Sequence, residues 1–226
     1  MTRSEAPNGR TGRPPVTSRA QILAAARRIL ERDGWEKLTA RRLAGELGIG
    51  TTTLYHHIRD REDLLVQLIN ELAEPTLRLD LPADPRERVI AAATSIHDSL
   101  AAVPWAPEIL TTDGFLGRLG EPALRLVEAI VSGALDCGCT PEQAVAVFRS
   151  VWYYTVGEIL VRVHSAGRPA AQPPGDGFFG PDVDTSRLPH LSALAERWEE
   201  LAARDTFAEA LEAFVDGLLG RAARSG

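Results

Sequence analysis

The strongest constraint on this chain is a helix-start device that it carries three times. Ser18 stands three residues before Gln21, Asp84-Pro85 stands before Glu87, and Thr140-Pro141 stands before Gln143. In each case a short oxygen-bearing side chain can accept from the first backbone N–H groups of a helix. A glutamine three residues on can also reach back to the cap. Proline at the first helical position gives up only an N–H that has no partner there. No stretch of four to eight residues shows β-branched alternation between turn signals. The expected fold class is therefore all-α.

Between these signals the apolar residues recur at helical spacing. After Ser18, the residues Ile22, Ala26, Ile29 and Leu30 line one face, and Gly34 marks a stop. Thr39 caps a short second helix that buries Leu43 and Leu47, and Gly48 permits a tight turn. A third helix, about Thr51 to His57, buries Leu54 and Ile58. Asp60 opens a fourth, with a stripe from Leu64 to Leu72 and a boundary near Pro75. Later helices are expected from Asp84 to about Val103, over 122–136, from Thr140 to about His164, and over 191–204 and 206–223. The proline- and glycine-rich stretch 167–187 reads as a loop. This divides the chain into a flexible basic arm (1–17), a first helical domain of short elements (18–64) and a larger helical domain (65–226).

Charge follows the same division. Residues 1–64 carry a net +4 and residues 65–226 a net −10, which together make the chain's −6. A basic first third on an acidic body places only one end against phosphate. No apolar run approaches the roughly 18–20 residues of a membrane span. The opening MTRSEAPNGRTGRPP also lacks a signal-peptide core. A cytoplasmic protein with no membrane partner is expected. Cys137 and Cys139 form a lone C-x-C, read as reduced cysteines near a helix end. Neither a metal site nor a cofactor is expected.

The chemistry concentrates in residues 39–58, where two short helices and a glycine turn make a helix-turn-helix. In such a motif the second helix enters the major groove. Here its outward residues are Thr51, Thr52, Thr53, Tyr55, His56 and His57, with no carboxylate to repel phosphate. Hydroxyls can bond phosphates or base edges, and threonine methyls can pack on thymine methyls. Arg41 and Arg42 precede this helix, and Arg59 and Arg61 follow it.

The stretch LTARRLAGELGIGTTTLYHHIRDREDLL, with the stripe and Gly34 before it, resembles the N-terminal domain of the TetR family of transcriptional regulators. The likeness covers about residues 18–72. It implies a DNA-binding repressor, a homodimer on double-stranded operator DNA, and release by a small-molecule effector. Position by position, it implies base contact for Arg41, and base or nearby phosphate contact for Thr51, Thr53 and His57. For Thr39, Tyr55 and Arg61 it implies backbone contact. Gly50 stands where the family's archetype has glutamate, so base preference does not carry over. The archetype's body holds magnesium–tetracycline through histidine and glutamate, and a gapless register places Leu77, Ile109 and Val161 there. Their side chains cannot ligate a metal, so the expected effector is not magnesium–tetracycline.

The regulatory half resembles the family through Tyr154-Thr155-x-Gly157-x-x-Leu160 and its helix lengths. The resemblance implies a four-helix dimer interface. The long helix 141–164 and the last helix fit it, with Gly157, Leu211, Phe214, Val215 and Leu218 as interface candidates. A ligand pocket is expected among residues 85–164, with His97, Trp105, Phe115, Phe148, Trp152, Tyr153 and Glu158 as lining candidates. Apolar walls with a few polar handles suit a small, partly aromatic ligand. An enzyme is not expected: no nucleophile elbow, phosphate loop or zinc-helix motif occurs. Adjacent His97 and Asp98 on one helix should point to different faces. A DNA-binding protein with no ligand remains open, and a filled core between residues 85 and 164 would favour it.

Overall fold

The computed structural model describes residues 17–103, 105–110, 114–166, 179 and 183–225. The basic arm, except Thr17, and most of the loop 167–187 lie outside the described residues. Every regular element among the described residues is helical. The α-helices are α1 (Arg19–Asp33), α2 (Ala40–Leu47), α3 (Thr51–Tyr55), α4 (Arg61–Ala73), α5 (Pro85–Ala101), α6 (Ala106–Leu110), α7 (Glu121–Asp136), α8 (Pro141–Ala166), α9 (Pro189–Leu194), α10 (Trp198–Ala202) and α11 (Phe207–Ser225). The chain divides into two compact units, and the boundary falls inside α4, between Leu68 and Ile69.

In the first unit the caps form as their residues dictate. Ser18 Oγ accepts from the Gln21 N–H at 3.2 Å, and Gln21 Oε1 accepts from the Ser18 N–H at 2.9 Å. Thr39 Oγ1 accepts from the Arg42 N–H at 3.2 Å. Gly48 closes α2 at φ 65°, a left-handed conformation that a β-carbon would strain. The core is Ile22, Ile29, Leu38, Leu43, Leu54, Leu64, Leu65 and Leu68, all essentially fully buried. Each such side chain contributes about 1.5–3 kcal/mol, so the stripes from α1 to α4 hold the unit together. Thr17, assigned to the arm from sequence, is buried.

The second unit is built on α5 and α7, with α8 packed across both and against α11. The α5–α7 approach is close enough to require glycine. A β-carbon on Gly133 would lie 2.7 Å from Val89 Cγ2 and 2.8 Å from the Pro85 carbonyl oxygen. Asp84 Oδ1 caps α5 by accepting from the Glu87 N–H at 2.9 Å. The Thr140–Gln143 box caps α8 in both directions, at 2.8 and 3.3 Å.

Two expectations need correction, and one interval without an expected element holds helical turns. The helix expected over 191–204 is broken into α9, a 3-10 turn (Ala195–Arg197) and α10. Two short elements, α6 and a 3-10 turn at Phe115–Arg118, fill the interval after α5. By length and composition alone α8 could cross a membrane, which the sequence reading denied of every helix. Its inner face, however, is packed in this unit, where Val147, Val151, Thr155 and Ile159 are buried.

Candidate functional site

The first candidate surface is α3 and its flanks. Leu54 and Ile58 are buried and anchor the element, which leaves Thr51, Thr52, Thr53, Tyr55 and His56 exposed and His57 half-buried. The helix is shorter than expected: it ends at Tyr55, and His56 is its C-cap. The two histidines therefore lie at and beyond the helix end. Gly50 precedes α3, and a β-carbon there would meet nothing within 4 Å. The exposed face offers hydroxyls, a phenol and imidazoles, and no carboxylate.

Of the four arginines that flank this face, Arg59 pairs with Asp63, its Nη2 3.5 Å from Asp63 Oδ1, and the other three differ in what they touch. Arg41 is exposed and has no ion-pair partner among the described residues. Arg42 Nη2 is 2.6 Å from Asp33 Oδ2. The Asp33 carboxyl is held below the usual carboxylate range, first by its hydrogen bond from Arg32 and further by Arg42. Arg61, which the resemblance assigned to the DNA backbone, acts as a brace that the sequence did not suggest. Its Nε donates to the Leu38 carbonyl and its Nη2 to the Trp35 carbonyl, both at 2.8 Å. Its guanidinium also lies 5.1 Å from the centre of the Trp35 ring. Thr39 is exposed, and its hydroxyl is engaged as the α2 cap.

The second candidate site is an apolar cavity of about 50 Å³ within the second unit. It lies among the end of α4, α5, α6, α7 and α8. Of the seven lining candidates, Phe115, Phe148 and Trp152 reach it. Phe115 stacks on Trp152 with ring centroids 4.8 Å apart and planes within 24°. The polar groups on the wall are Asn70, Ser99 and Glu74, none of which was singled out from sequence. Asn70 Nδ2 donates to the Arg118 carbonyl at 3.1 Å, and Asn70 Oδ1 accepts from the Gly120 N–H at 3.2 Å. A polar Asn70 beside the apolar stripe of α4 was the available signal.

The other four candidates do not line the cavity. Trp105 is buried elsewhere, and Tyr153 points outward, 61% exposed. His97 and Glu158 bond each other: Nε2 is 2.9 Å from Glu158 Oε2. His97 Nδ1 also lies 3.2 Å from Asp98 Oδ1, so these neighbours do meet, contrary to expectation. Glu158 Oε1 accepts from Arg162 Nε at 2.6 Å, and Arg162 Nη2 reaches Asp205 Oδ1 at 3.2 Å. Among the described residues, no group of three or more His, Cys, Asp or Glu side chains could hold a metal ion. Leu77 lines the cavity, Ile109 is buried and Val161 is 67% exposed. Burial pushes both the Cys137 and Cys139 thiols up, which disfavours the reactive thiolate.

The interface candidates divide in the same way. Leu211 and Val215 are fully buried within their own unit, so they are core and not free to meet a partner. Gly157 and Phe214 are exposed and Leu218 is half-buried. On α8 the exposed residues Tyr153, Gly157 and Val161 recur every four positions and share one outward face.

Comparison with known proteins matches both units. Residues 22–68 match the family described as bacterial regulatory proteins, tetR family, and residues 80–221 match the tetracyclin repressor-like C-terminal domain. The chain is 28% identical over 204 residues to the tetracycline repressor protein class A from transposon 1721 of Escherichia coli, covering 88% of this chain and 89% of that one. In fold it is similar to the Streptomyces coelicolor TetR family protein ActR solved in complex with actinorhodin. That likeness has a TM-score of 0.74 at 24% identity and covers 95% of this chain and 100% of that one. It is also similar to BioQ solved with its double-stranded DNA operator, with a TM-score of 0.62 at 22% identity and coverage of 90% and 99%.

Proposed function

The chain belongs to the tetR family of bacterial regulatory proteins, and we propose that it is a cytoplasmic, homodimeric repressor that leaves a palindromic operator when a small molecule enters the cavity of its second unit. The observation that carries the DNA-reading half is the exposed, carboxylate-free face of α3, anchored by Leu54 and Ile58 and flanked by the exposed Arg41. BioQ, of similar fold, was solved with its operator. Two reading helices about one DNA turn apart require a two-fold partner. The exposed face of α8 at Tyr153, Gly157 and Val161, with Phe214 of α11, supplies an apolar surface for it.

Helix α4 supports the regulatory half. Leu64, Leu65 and Leu68 are core residues of the first unit, while Ile69, Asn70 and Ala73 line the cavity in the second. A ligand that displaces the wall acts on the helix that carries the reader's core, and it shifts the equilibrium by its differential affinity for the two states. The effector is not magnesium–tetracycline, because Leu77, Ile109 and Val161 offer no ligand atoms. A second reading, a DNA-binding protein without a ligand, is favoured by the small cavity: about 50 Å³ here against the roughly 300 Å³ or more of small-molecule pockets.

The deciding experiment selects random DNA fragments on the purified chain and sequences them. The expected product is a palindrome whose half-sites lie about one helical turn apart. Failure to enrich any sequence would sink the reading, and release of the selected operator by magnesium–tetracycline would sink the ligand assignment.

A further inference from the structure

We propose that the effector is an uncharged, planar aromatic molecule, and that the Phe115 ring occupies its place in the ligand-free cavity. This rests on reading the cavity as the effector site. The argument from charge is direct. Among the described residues of the wall, Glu74 is the only ionisable one, and it is exposed at the rim. Among the described residues no arginine, lysine or histidine lines the site. An anion drawn inside would lose its water, find no cation and meet the Glu74 charge on the way. A cation would lose its water equally, with Glu74 still in solvent. The neutral polar groups are Asn70 and Ser99. After its two backbone bonds, the Asn70 amide retains one N–H and one oxygen lone pair. A ring system bearing a carbonyl or an N–H is matched by these groups.

The argument from shape concerns Phe115 and Trp152. A cavity of about 50 Å³ is far smaller than the roughly 300 Å³ or more of small-molecule pockets. Part of the wall must therefore yield to any ligand. Phe148 and Trp152 are buried on the long helix α8. Phe115 is half-exposed on a single 3-10 turn, Phe115–Arg118, and its ring lies nearly parallel to Trp152. Of the aromatic wall it is the member held by least structure. A planar molecule that displaces it recovers the stacking on Trp152 that Phe115 gives up; a flexible aliphatic one does not.

The test uses three tricycles of matched size, each titrated calorimetrically into the full chain: acridone, acridine-9-carboxylate and N-methylacridinium. Acridone should bind at least about tenfold more tightly than either ion, because each ion pays an uncompensated desolvation. Equal or tighter binding of an ion overturns the charge assignment. Phe115→Ala should strengthen acridone binding by about threefold or more, since no ring then has to leave. Unchanged or weaker binding overturns the displacement, because a ring that has to leave costs affinity for as long as it is present. Trp152→Leu should weaken acridone by about tenfold. Its fold is checked by circular dichroism, and the half-exposed Phe115 variant keeps the test decisive if Trp152→Leu misfolds. The same preparations are assayed on the selected operator. Operator binding with no acridone binding in wild type or Phe115→Ala overturns this proposal and leaves the DNA reader standing. Absence of operator binding overturns the function reading whatever acridone does. Acridone that binds without loosening the operator overturns its class as the effector.

Discussion

Glu158 Oε2 lies 2.9 Å from His97 Nε2, and the His97 ring stacks on Phe207 with centroids 3.7 Å apart. This places α5, α8 and the start of α11 around one imidazole. The pair is mostly buried, with side chains 11% and 17% exposed. His97→Ala should therefore lower stability by about 1–3 kcal/mol, from the lost hydrogen bond and stack. The check is urea unfolding with a Glu158→Ala double-mutant cycle. A fall in acridone affinity with unchanged unfolding would return His97 to the cavity wall and refute this placement.

Arg41 and Arg61 should fail in different ways. Arg41 is exposed and has no ion-pair partner among the described residues, so Arg41→Ala should cost about 1–3 kcal/mol of operator binding and leave unfolding untouched. Arg61 ties the carbonyls of Trp35 and Leu38, so Arg61→Ala should lower stability by about 2–3 kcal/mol. Arg61→Lys should not restore it, because one ammonium does not reproduce the guanidinium fork. Gel shifts at fixed salt beside thermal unfolding separate the two. An Arg61→Ala protein of wild-type stability would show that the brace contributes nothing.

Two glycines give opposite expectations. Gly133→Ala drives a β-carbon into Val89 and the Pro85 carbonyl, and should destabilise by about 1–3 kcal/mol. At Gly157 a β-carbon meets nothing within 4 Å, and alanine should favour the helix by up to about 1 kcal/mol. Gly157→Leu should instead weaken self-association, measured by sedimentation, if two copies meet across this face. A dimer of undiminished affinity would place the interface elsewhere.

Acid should act through paired aspartates. The Asp216 carboxyl is lowered by its hydrogen bond from Arg86, and Asp205 is lowered first by its hydrogen bond from Arg162. A carboxylate depressed in the folded state stabilises fully above its unfolded value, about 3.9 for aspartate, and loses that contribution as pH falls through the folded value. Both residues are exposed, so each effect is small and screened by salt. Stability should be flat in these groups above about pH 5 and decline below about pH 4. In Asp216→Asn the decline should be shallower; an identical acid limb in both proteins would argue against the pair.

Much of the fold was legible because its signals are local. The caps at Ser18, Thr39, Asp84 and Thr140 each depend on residues within three positions. The helix α6 and the turn at Phe115 carry no such cap, and the glycines at 114 and 117 and Pro107 conceal them. The site was legible in part. Exposed and buried residues of α3 separated as their spacing required. On α8, apolar around most of its girth, sequence cannot set the rotational phase: Trp152 faces the cavity, while its neighbour Tyr153 faces outward. On α11 the interface candidates Leu211 and Val215 are core, whereas Phe214 is exposed. Burial strength alone does not say whose core a stripe completes.

The two-sided character of α8 has a genetic consequence. Each residue turns an α-helix by about 100°, and the inward set of Phe148 and Trp152 is separated from the outward set of Tyr153 and Gly157 by little more than that. One codon inserted between positions 144 and 148 would turn every later side chain by about 100° about the helix axis and carry the tryptophan out of the core. Among descendants of this gene, α8 should drift freely in composition while its length stays fixed.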